Sequence, residues 1–140
     1  AGQTSLGDYT AHSVAGKTVT VWSGTSGMRF VFYRPRIVRV DLLPTPWAAT
    51  DSSVVVIRDT AENVPISVSD SSSFLTITTS ALRIVCGKTP LRTSYYAASG
   101  KLLLAEPING GLWWDGTARG ATFALGLNDH FYGTGERGTR

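Results

Sequence analysis

Two short stretches carry the side chains that could do chemistry in this chain of 140 residues. The first is Trp113-Trp114-Asp115, where a carboxylate follows two indole rings. An indole face stacks on the apolar face of a pyranose ring, and a carboxylate accepts hydrogen bonds from its hydroxyl groups. Adjacent strand residues point to opposite faces, so the alternative is one indole in the core and the other against a neighbouring domain. Trp47, which follows Pro46 in a loop, is open to the same two interpretations.

The second stretch lies near the C-terminus and is Phe131-Tyr132-Gly133-Thr134-Gly135, followed directly by Glu136 and Arg137. Two glycines one residue apart suit a backbone that bends sharply or passes close to another surface. A strand that ends on this turn directs Glu136 and Arg137 beyond the edge of its own sheet, and only three residues follow. We therefore expect the chain to be part of a larger protein. Glu136 and Arg137 then lie at a structural interface or, as the alternative, at the rim of a substrate pocket.

Acid–base catalysis and metal binding find little support among the other polar residues. His12 lies in a leader rich in Ser, Thr and Gly, and a Gly-x-Gly bend separates His130 from Glu136. A histidine that acts as general acid or base needs its partner within hydrogen-bond reach, so we expect no independent catalysis. The remaining acidic residues lack the spacing of metal ligands, and we expect neither a metal nor a cofactor; they include Asp51, Asp59, Glu62 and Asp70.

The composition limits the class of protein. Hydrophobic residues make up 42% and charged residues 16%, which is typical of a globular domain. The net charge of +3 comes without a basic stripe interleaved with stacking aromatics, which argues against nucleic-acid binding. No apolar run is long enough to span a bilayer. The single cysteine, Cys86, excludes an intrachain disulfide and is expected to be buried. The terminus Ala1-Gly2-Gln3 suits either the mature end left after cleavage of a signal peptide or a remnant of cloning. The compartment therefore stays open, and of the possible locations we favour the periplasm or secretion.

Apolar residues recur with a period of two and nowhere with the period of a helix, which predicts an all-β domain. We expect a hairpin over 18–33 and a bulge or strand break at Pro35. We also expect a short strand before the terminal motif, with Phe123, Leu125 and Leu127 on one face. Further strands are predicted at 37–43, 53–57, 66–68, 74–79, 81–86, 91–96, 102–104 and 112–116. About ten to twelve short strands with regularly spaced turns favour a two-layer antiparallel β-sandwich.

Four segments in this order resemble the N-terminal β-domain of glycoside hydrolase family 31, the α-glucosidase and α-xylosidase family. Residues 75–84 resemble its paired strands, residues 88–91 its K-x-P-[FL] turn, and residues 100–103 its D-G-K-x-L hairpin. Phe131-Tyr132-Gly133-Thr134-Gly135-Glu136 is similar to its F-Y-G-x-G-E motif, where Leu is more common than Thr134. Upstream, residues 37–40 resemble its I-x-R-V strand.

The resemblance implies a galactose-mutarotase-like sandwich, here in truncated form, that precedes a catalytic (β/α)8 barrel in the same polypeptide. Members are retaining α-glycosidases with two barrel aspartates, and such a pair lies about 5 Å apart. A barrel takes about 250 residues, so none fits in this chain, and no aspartate here is assigned a catalytic role. We expect residues 1–140 to form one non-catalytic domain that braces the barrel and shapes the substrate entrance.

Two further expectations accompany this interpretation. The alternative function is a free-standing carbohydrate-binding module that holds an oligosaccharide through Trp113, Trp114, Asp115 and Trp47. The barrel-interface candidates are Phe131, Tyr132, Gly133, Gly135, Glu136 and Arg137. Because later strands complete the sheet in the family, we also expect a chain cut at Arg140 to expose an unpaired edge and to form a truncation-induced homodimer.

Overall fold

The protein is all-β in the computed structural model, which describes residues 2–44 and 63–127. Over those residues there are twelve strands and no helix, and therefore no helix that could cross a membrane. The strands are β1 (Thr4–Ser5), β2 (Ala11–Ala15), β3 (Thr18–Ser23), β4 (Ser26–Arg34), β5 (Ile37–Leu43), β6 (Ser67–Asp70), β7 (Phe74–Thr78), β8 (Leu82–Lys88), β9 (Leu91–Ala97), β10 (Leu102–Ala105), β11 (Leu112–Asp115) and β12 (Ala118–Ala121). The strand expected at 53–57 lies outside the described residues.

The first large sheet has four antiparallel strands in the order β2-β3-β4-β5. The predicted hairpin is confirmed as β3 paired with β4, and Val19 and Val21 are fully buried while Trp22 lies on the opposite face. The predicted break at Pro35 is also confirmed, because β4 ends at Arg34 with a register shift against β5. Three of the described strands were not predicted: β1 and β12, which belong to a further sheet, and β2, which occupies part of the segment described as a leader rich in Ser, Thr and Gly.

The second large sheet has five antiparallel strands in the order β10-β9-β8-β7-β6. Each strand of this sheet pairs with the next one along the chain as a hairpin. Because alternate side chains of a strand face opposite sides of the sheet, the pairing register sets which of them face inward. Leu75, Ile77 and Ile84 are fully buried, whereas Leu82 at the start of β8 is partly exposed. The turn between β8 and β9 contains a cis Thr89–Pro90 peptide bond.

One hydrophobic core fills the space between the two large sheets, which confirms the predicted sandwich. The four-stranded sheet contributes Phe30 and Phe32, and the five-stranded sheet contributes Ile77, Ile84 and Cys86. Burial of Cys86 is confirmed, and desolvation raises the pKa of its thiol to about 12, so the thiol stays protonated and unreactive.

A third, small sheet of three strands in the order β1-β11-β12 was not predicted as a separate unit. Its middle strand β11 pairs with both neighbours antiparallel. The N-terminal segment ties this sheet to the sandwich: Leu6 lies in the core, Leu91 N donates to Gly7 O at 2.8 Å, and Tyr9 N donates to Lys88 O at 2.8 Å.

The strand predicted with Phe123, Leu125 and Leu127 on one face was wrong. Residues 122–126 form no strand, and β12 ends just before them. Their backbone bonds go to two different segments, from Thr122 N to Gly111 O and from Ala124 N to Ala105 O, so no ladder forms. Leu125 and Leu127 are exposed, which shows that their alternation does not mark a core-facing side in the described residues.

Candidate functional site

The β11–β12 hairpin carries the first of the two candidate stretches. Four cross-strand pairs hold it together, and Gly116-Thr117 forms the connecting turn. On its other edge, β11 pairs with β1, which places Ser5 beside Trp113 and Thr4 beside Trp114. The two tryptophans are therefore held at the centre of a sheet rather than on a loop.

The two indoles of this hairpin point in opposite directions, as alternation along a strand requires. Trp114 packs with Leu112 against the hydrophobic core. Trp113 lies on the outer face and crosses over Gly120, its partner on β12. A Cβ at Gly120 would lie 2.8 Å from Nε1 of Trp113 and closer still to the ring carbons, so only glycine leaves room for the indole. The core position that sequence reasoning gave to one indole is confirmed for Trp114.

Asp115 shares the outer face with Trp113, because the two residues are two positions apart on β11. Its carboxylate is partly buried and forms no hydrogen bond or ion pair within the part of the chain that the structure describes. The opposite residue on β12 is Ala118, whose small side chain leaves this end of the face open. The outer face thus combines an indole packed on Gly120 with a carboxylate that has no hydrogen-bond or ion-pair partner among the described residues.

Other described carboxylates are engaged elsewhere. Asp41 accepts hydrogen bonds from Arg29 Nη2 at 2.7 Å and from Arg39 Nη2 at 3.0 Å on the outside of the four-stranded sheet. Asp70 pairs with Lys88, which holds the pKa of that carboxyl below its usual value through their hydrogen bond. Both carboxylates are therefore held by cationic partners.

Glu106 is the buried polar residue that sequence reasoning missed. Its Oε2 accepts a hydrogen bond from Thr93 N at 2.7 Å and its Oε1 accepts one from Leu112 N at 3.2 Å, which joins the five-stranded sheet to the small sheet. Burial raises the pKa of this carboxyl, and the backbone hydrogen bonds oppose the rise. Gly111, at a φ of 88°, passes so close that a Cβ would lie 3.1 Å from Cδ of Glu106. The glycine pair at 110–111 was the only signal of this contact in the sequence.

His12, which the sequence analysis placed in a leader rich in Ser, Thr and Gly, belongs to a strand. It lies on β2, where Nδ1 is 2.7 Å from the Tyr9 hydroxyl and 3.8 Å from a carboxylate oxygen of Asp70. The Lys88 ammonium is 4.4 Å from the centre of the Tyr9 ring and completes the group. The cluster links the edge of the four-stranded sheet to the five-stranded sheet. Sequence reasoning could not find it because its members come from three segments that are far apart along the chain.

Two shallow grooves of about 440 Å³ and about 300 Å³ lie at one end of the sandwich. Both are lined by Leu82 and by the turn 97–99. No carboxylate or histidine is among their lining residues in the described part of the chain. No group of described residues could hold a metal ion.

The remaining sequence candidates lie outside the described residues. These are Trp47 and the terminal set Phe131, Tyr132, Gly133, Gly135, Glu136 and Arg137. Their roles stay predictions.

The architecture defines an antiparallel β-sandwich domain with a hydrophobic core between its two large sheets. The sequence matches the glycosyl hydrolase 31 N-terminal galactose mutarotase-like domain over residues 27–140, and the chain belongs to that family. The resemblance inferred from the sequence is thereby confirmed.

Similar proteins are much longer than this chain. Alpha-glucosidase 2 from Bacillus thermoamyloliquefaciens is 32% identical over 116 residues, which are 81% of this chain and 14% of that enzyme. Among solved structures, a glycoside hydrolase family 31 dextranase from Flavobacterium johnsoniae complexed with glucose superposes with a TM-score of 0.79. That match has 23% identity and covers 88% of this chain and 16% of the dextranase. The cycloalternan-forming enzyme from Listeria monocytogenes, in complex with a pentasaccharide substrate, gives a TM-score of 0.64 at 22% identity and covers 78% of this chain and 10% of that enzyme.

Proposed function

We propose that this chain is the non-catalytic N-terminal domain of a retaining α-glycosidase of the α-glucosidase type, that it braces the catalytic barrel of the same polypeptide, and that it shapes the substrate entrance. The observation that carries the proposal is the family match over residues 27–140, in a chain that covers 14% of its α-glucosidase relative. The reaction centre then lies in the barrel, outside this chain.

The contacts of three of the described acids, Asp41, Asp70 and Glu106, support a non-catalytic role. A retaining mechanism needs a nucleophile and an acid/base about 5 Å apart on opposite sides of the scissile bond. Asp41 is neutralised by two guanidinium groups, Asp70 is held by Lys88, and Glu106 is buried against backbone amides. All three carboxylates are thus held by structural partners within the domain.

The connections between the sheets support a bracing role, since a brace must resist deformation. Thr79 Oγ1 donates to Pro35 O at 2.7 Å and links the two large sheets at one end. Arg92 Nη1 donates to Leu6 O at 2.6 Å and Glu106 holds β11 at the other end. These hydrogen bonds attach the small sheet to the two large sheets and their core, so the small sheet resists displacement by a neighbouring domain.

Two assays test the proposal. The purified 140-residue chain should give no turnover of aryl α-glucosides or aryl α-xylosides above a heat-treated control. Turnover that disappears when Glu136 or Asp115 is replaced by its amide would overturn the non-catalytic assignment.

The second assay uses the full-length protein and separates bracing from entrance shaping. If Glu136 and Arg137 brace the barrel, Glu136→Gln and Arg137→Met should lower the Tm of the catalytic part with kcat unchanged. If they shape the entrance, the same variants should raise KM at unchanged Tm. Lys101→Met, which removes an exposed charge at the β9–β10 turn, is the matched control. Variants of Glu136 and Arg137 that behave like the Lys101 control would exclude both roles for these two residues.

A further inference from the structure

We propose that the outer face of the β11–β12 hairpin is a contact site for one pyranose unit of a carbohydrate, with Trp113 as the stacking platform and Asp115 as the hydroxyl acceptor. The proposal goes beyond the bracing function and does not depend on it, because the site is built entirely within this hairpin and β1. It also narrows the candidates that the sequence offered, since Trp114 is turned to the core.

The shape of this face is the first argument. Trp113 lies across Gly120, with Ser5 beside it on β1, and Ala118 lies opposite Asp115 on β12. The cross-strand positions that share this face with Trp113 and Asp115 are therefore glycine, serine and alanine, all of which are small. Packing against Gly120 also fixes the orientation of the ring before any ligand binds, which lowers the entropy lost on binding. The result is an indole ring that is partly exposed and is held at the centre of a sheet.

The unpaired polar groups are the second argument. Within the described residues, neither the indole Nε1–H of Trp113 nor the carboxylate of Asp115 forms a hydrogen bond. Asp41, which is likewise partly buried, and Glu106, which is buried, both have hydrogen-bond partners in the described chain. A donor and a charged acceptor therefore stand beside an apolar plane, all three on one face.

A pyranose ring matches this set of groups better than other occupants. Its apolar C–H face covers the indole, one hydroxyl donates to the carboxylate, and another accepts from Nε1–H. A phosphate or another anion is repelled by Asp115. An apolar protein surface would bury the Asp115 carboxylate without a partner, which is costly.

The experiment follows the indole N–H signals by NMR in ¹⁵N-labelled protein titrated with isomaltotriose and, separately, with maltotriose. The chain has four tryptophans, so four indole signals are expected and each is assigned by its own Trp→Leu variant. We expect the Trp113 signal to shift saturably and the Trp22 signal to stay unchanged. Trp22 is a matched control because it also sits partly buried against a cross-strand glycine, Gly27.

Three variants test the roles of the groups. Asp115→Asn keeps the size of the side chain and removes its charge, and should weaken binding about tenfold, which corresponds to the loss of one charge-assisted hydrogen bond. Gly120→Ala displaces the indole without removing it and should abolish the saturable shift. Asp8→Asn, at an exposed position, should bind like the unaltered protein. Trp113→Leu should bind no sugar, and if it fails to fold, the Asp115→Asn and Gly120→Ala titrations decide.

Several outcomes would overturn the proposal. A Trp113 signal that does not move with either trisaccharide would do so, as would equal binding by the Asp115→Asn variant. Binding by the 140-residue chain that is lost in the full-length protein would show that the rest of the protein covers this face. Because this readout needs no turnover, its failure is separate from failure of the bracing function, which is measured by Tm, kcat and KM.

Discussion

Replacing Glu106 with glutamine tests how the small sheet is attached to the sandwich. Both carboxylate oxygens accept a backbone N–H, from Thr93 at 2.7 Å and from Leu112 at 3.2 Å, and the residue is only 8% exposed. Glutamine has the same shape but a single acceptor oxygen, so its NH2 group must face one of the two donors. The longer bond to Leu112 is the one that should be lost.

The magnitude follows from what is left unpaired. A buried N–H without an acceptor costs about 1–3 kcal/mol. Relief of the buried charge offsets part of this cost, so we expect a net loss of about 1–2 kcal/mol in the free energy of unfolding at pH 7. Urea melts measure the loss, and hydrogen exchange locates it: the Leu112 amide should lose protection while the Thr93 amide keeps it. Asp8→Asn, which removes an exposed charge, is the control.

The pH dependence of the same pair of proteins provides a second check. Burial raises the folded-state pKa of Glu106 above its ordinary value of 4.5, so the folded protein binds this proton more tightly than the unfolded chain does. Its contribution to stability is therefore fully present below 4.5 and is lost as the pH rises through the raised value. The stability difference between the unaltered protein and Glu106→Gln should grow as the pH falls from 7 towards 4.5. A difference below about 0.5 kcal/mol with unchanged Leu112 exchange would refute this account of the junction.

Three more outcomes are expected. Ile77→Ala should cost about 2–5 kcal/mol in denaturant melts because the side chain is fully buried, and Leu82→Ala should cost less because it is partly exposed; equal losses would mean that their environments are misassigned. Lys88→Met should bring the NMR-measured pKa of Asp70 up towards 3.8, because it removes the hydrogen bond that lowers this pKa; an unchanged pKa would contradict the pairing. The stability that the lowered pKa of Asp70 contributes is present above 3.8 and is lost as the pH falls through the lowered value. Light scattering of the 140-residue chain over a hundredfold dilution should show dimers or small oligomers, and a strict monomer at millimolar concentration would contradict the exposed edge.

Local patterns in the sequence were sufficient to predict most of the strands and hairpins of the sandwich. Alternation with a period of two has a direct physical cause, because successive strand residues face opposite sides of a sheet. The β3–β4 and β7–β8 hairpins follow from it, and so does the separation of Trp113 from Trp114. The same rule failed for Phe123, Leu125 and Leu127, because alternation reports which residues share a face only if a partner strand forms.

The contacts that join the sheets were decided by the tertiary structure alone. Arg92 binds the carbonyl of Leu6, which is 86 positions away, and Thr79 binds the carbonyl of Pro35, which is 44 positions away. No local pattern encodes such pairs, because each depends on how whole sheets are stacked and on the burial that stacking creates. For the same reason, Glu106 looks like an ordinary surface acid in the sequence and becomes a buried junction only when β9 and β11 lie on either side of it. The outer face of the β11–β12 hairpin shows both contributions. The sequence determined that Trp113 and Asp115 share a face, and the tertiary structure decided that this face is the outer one.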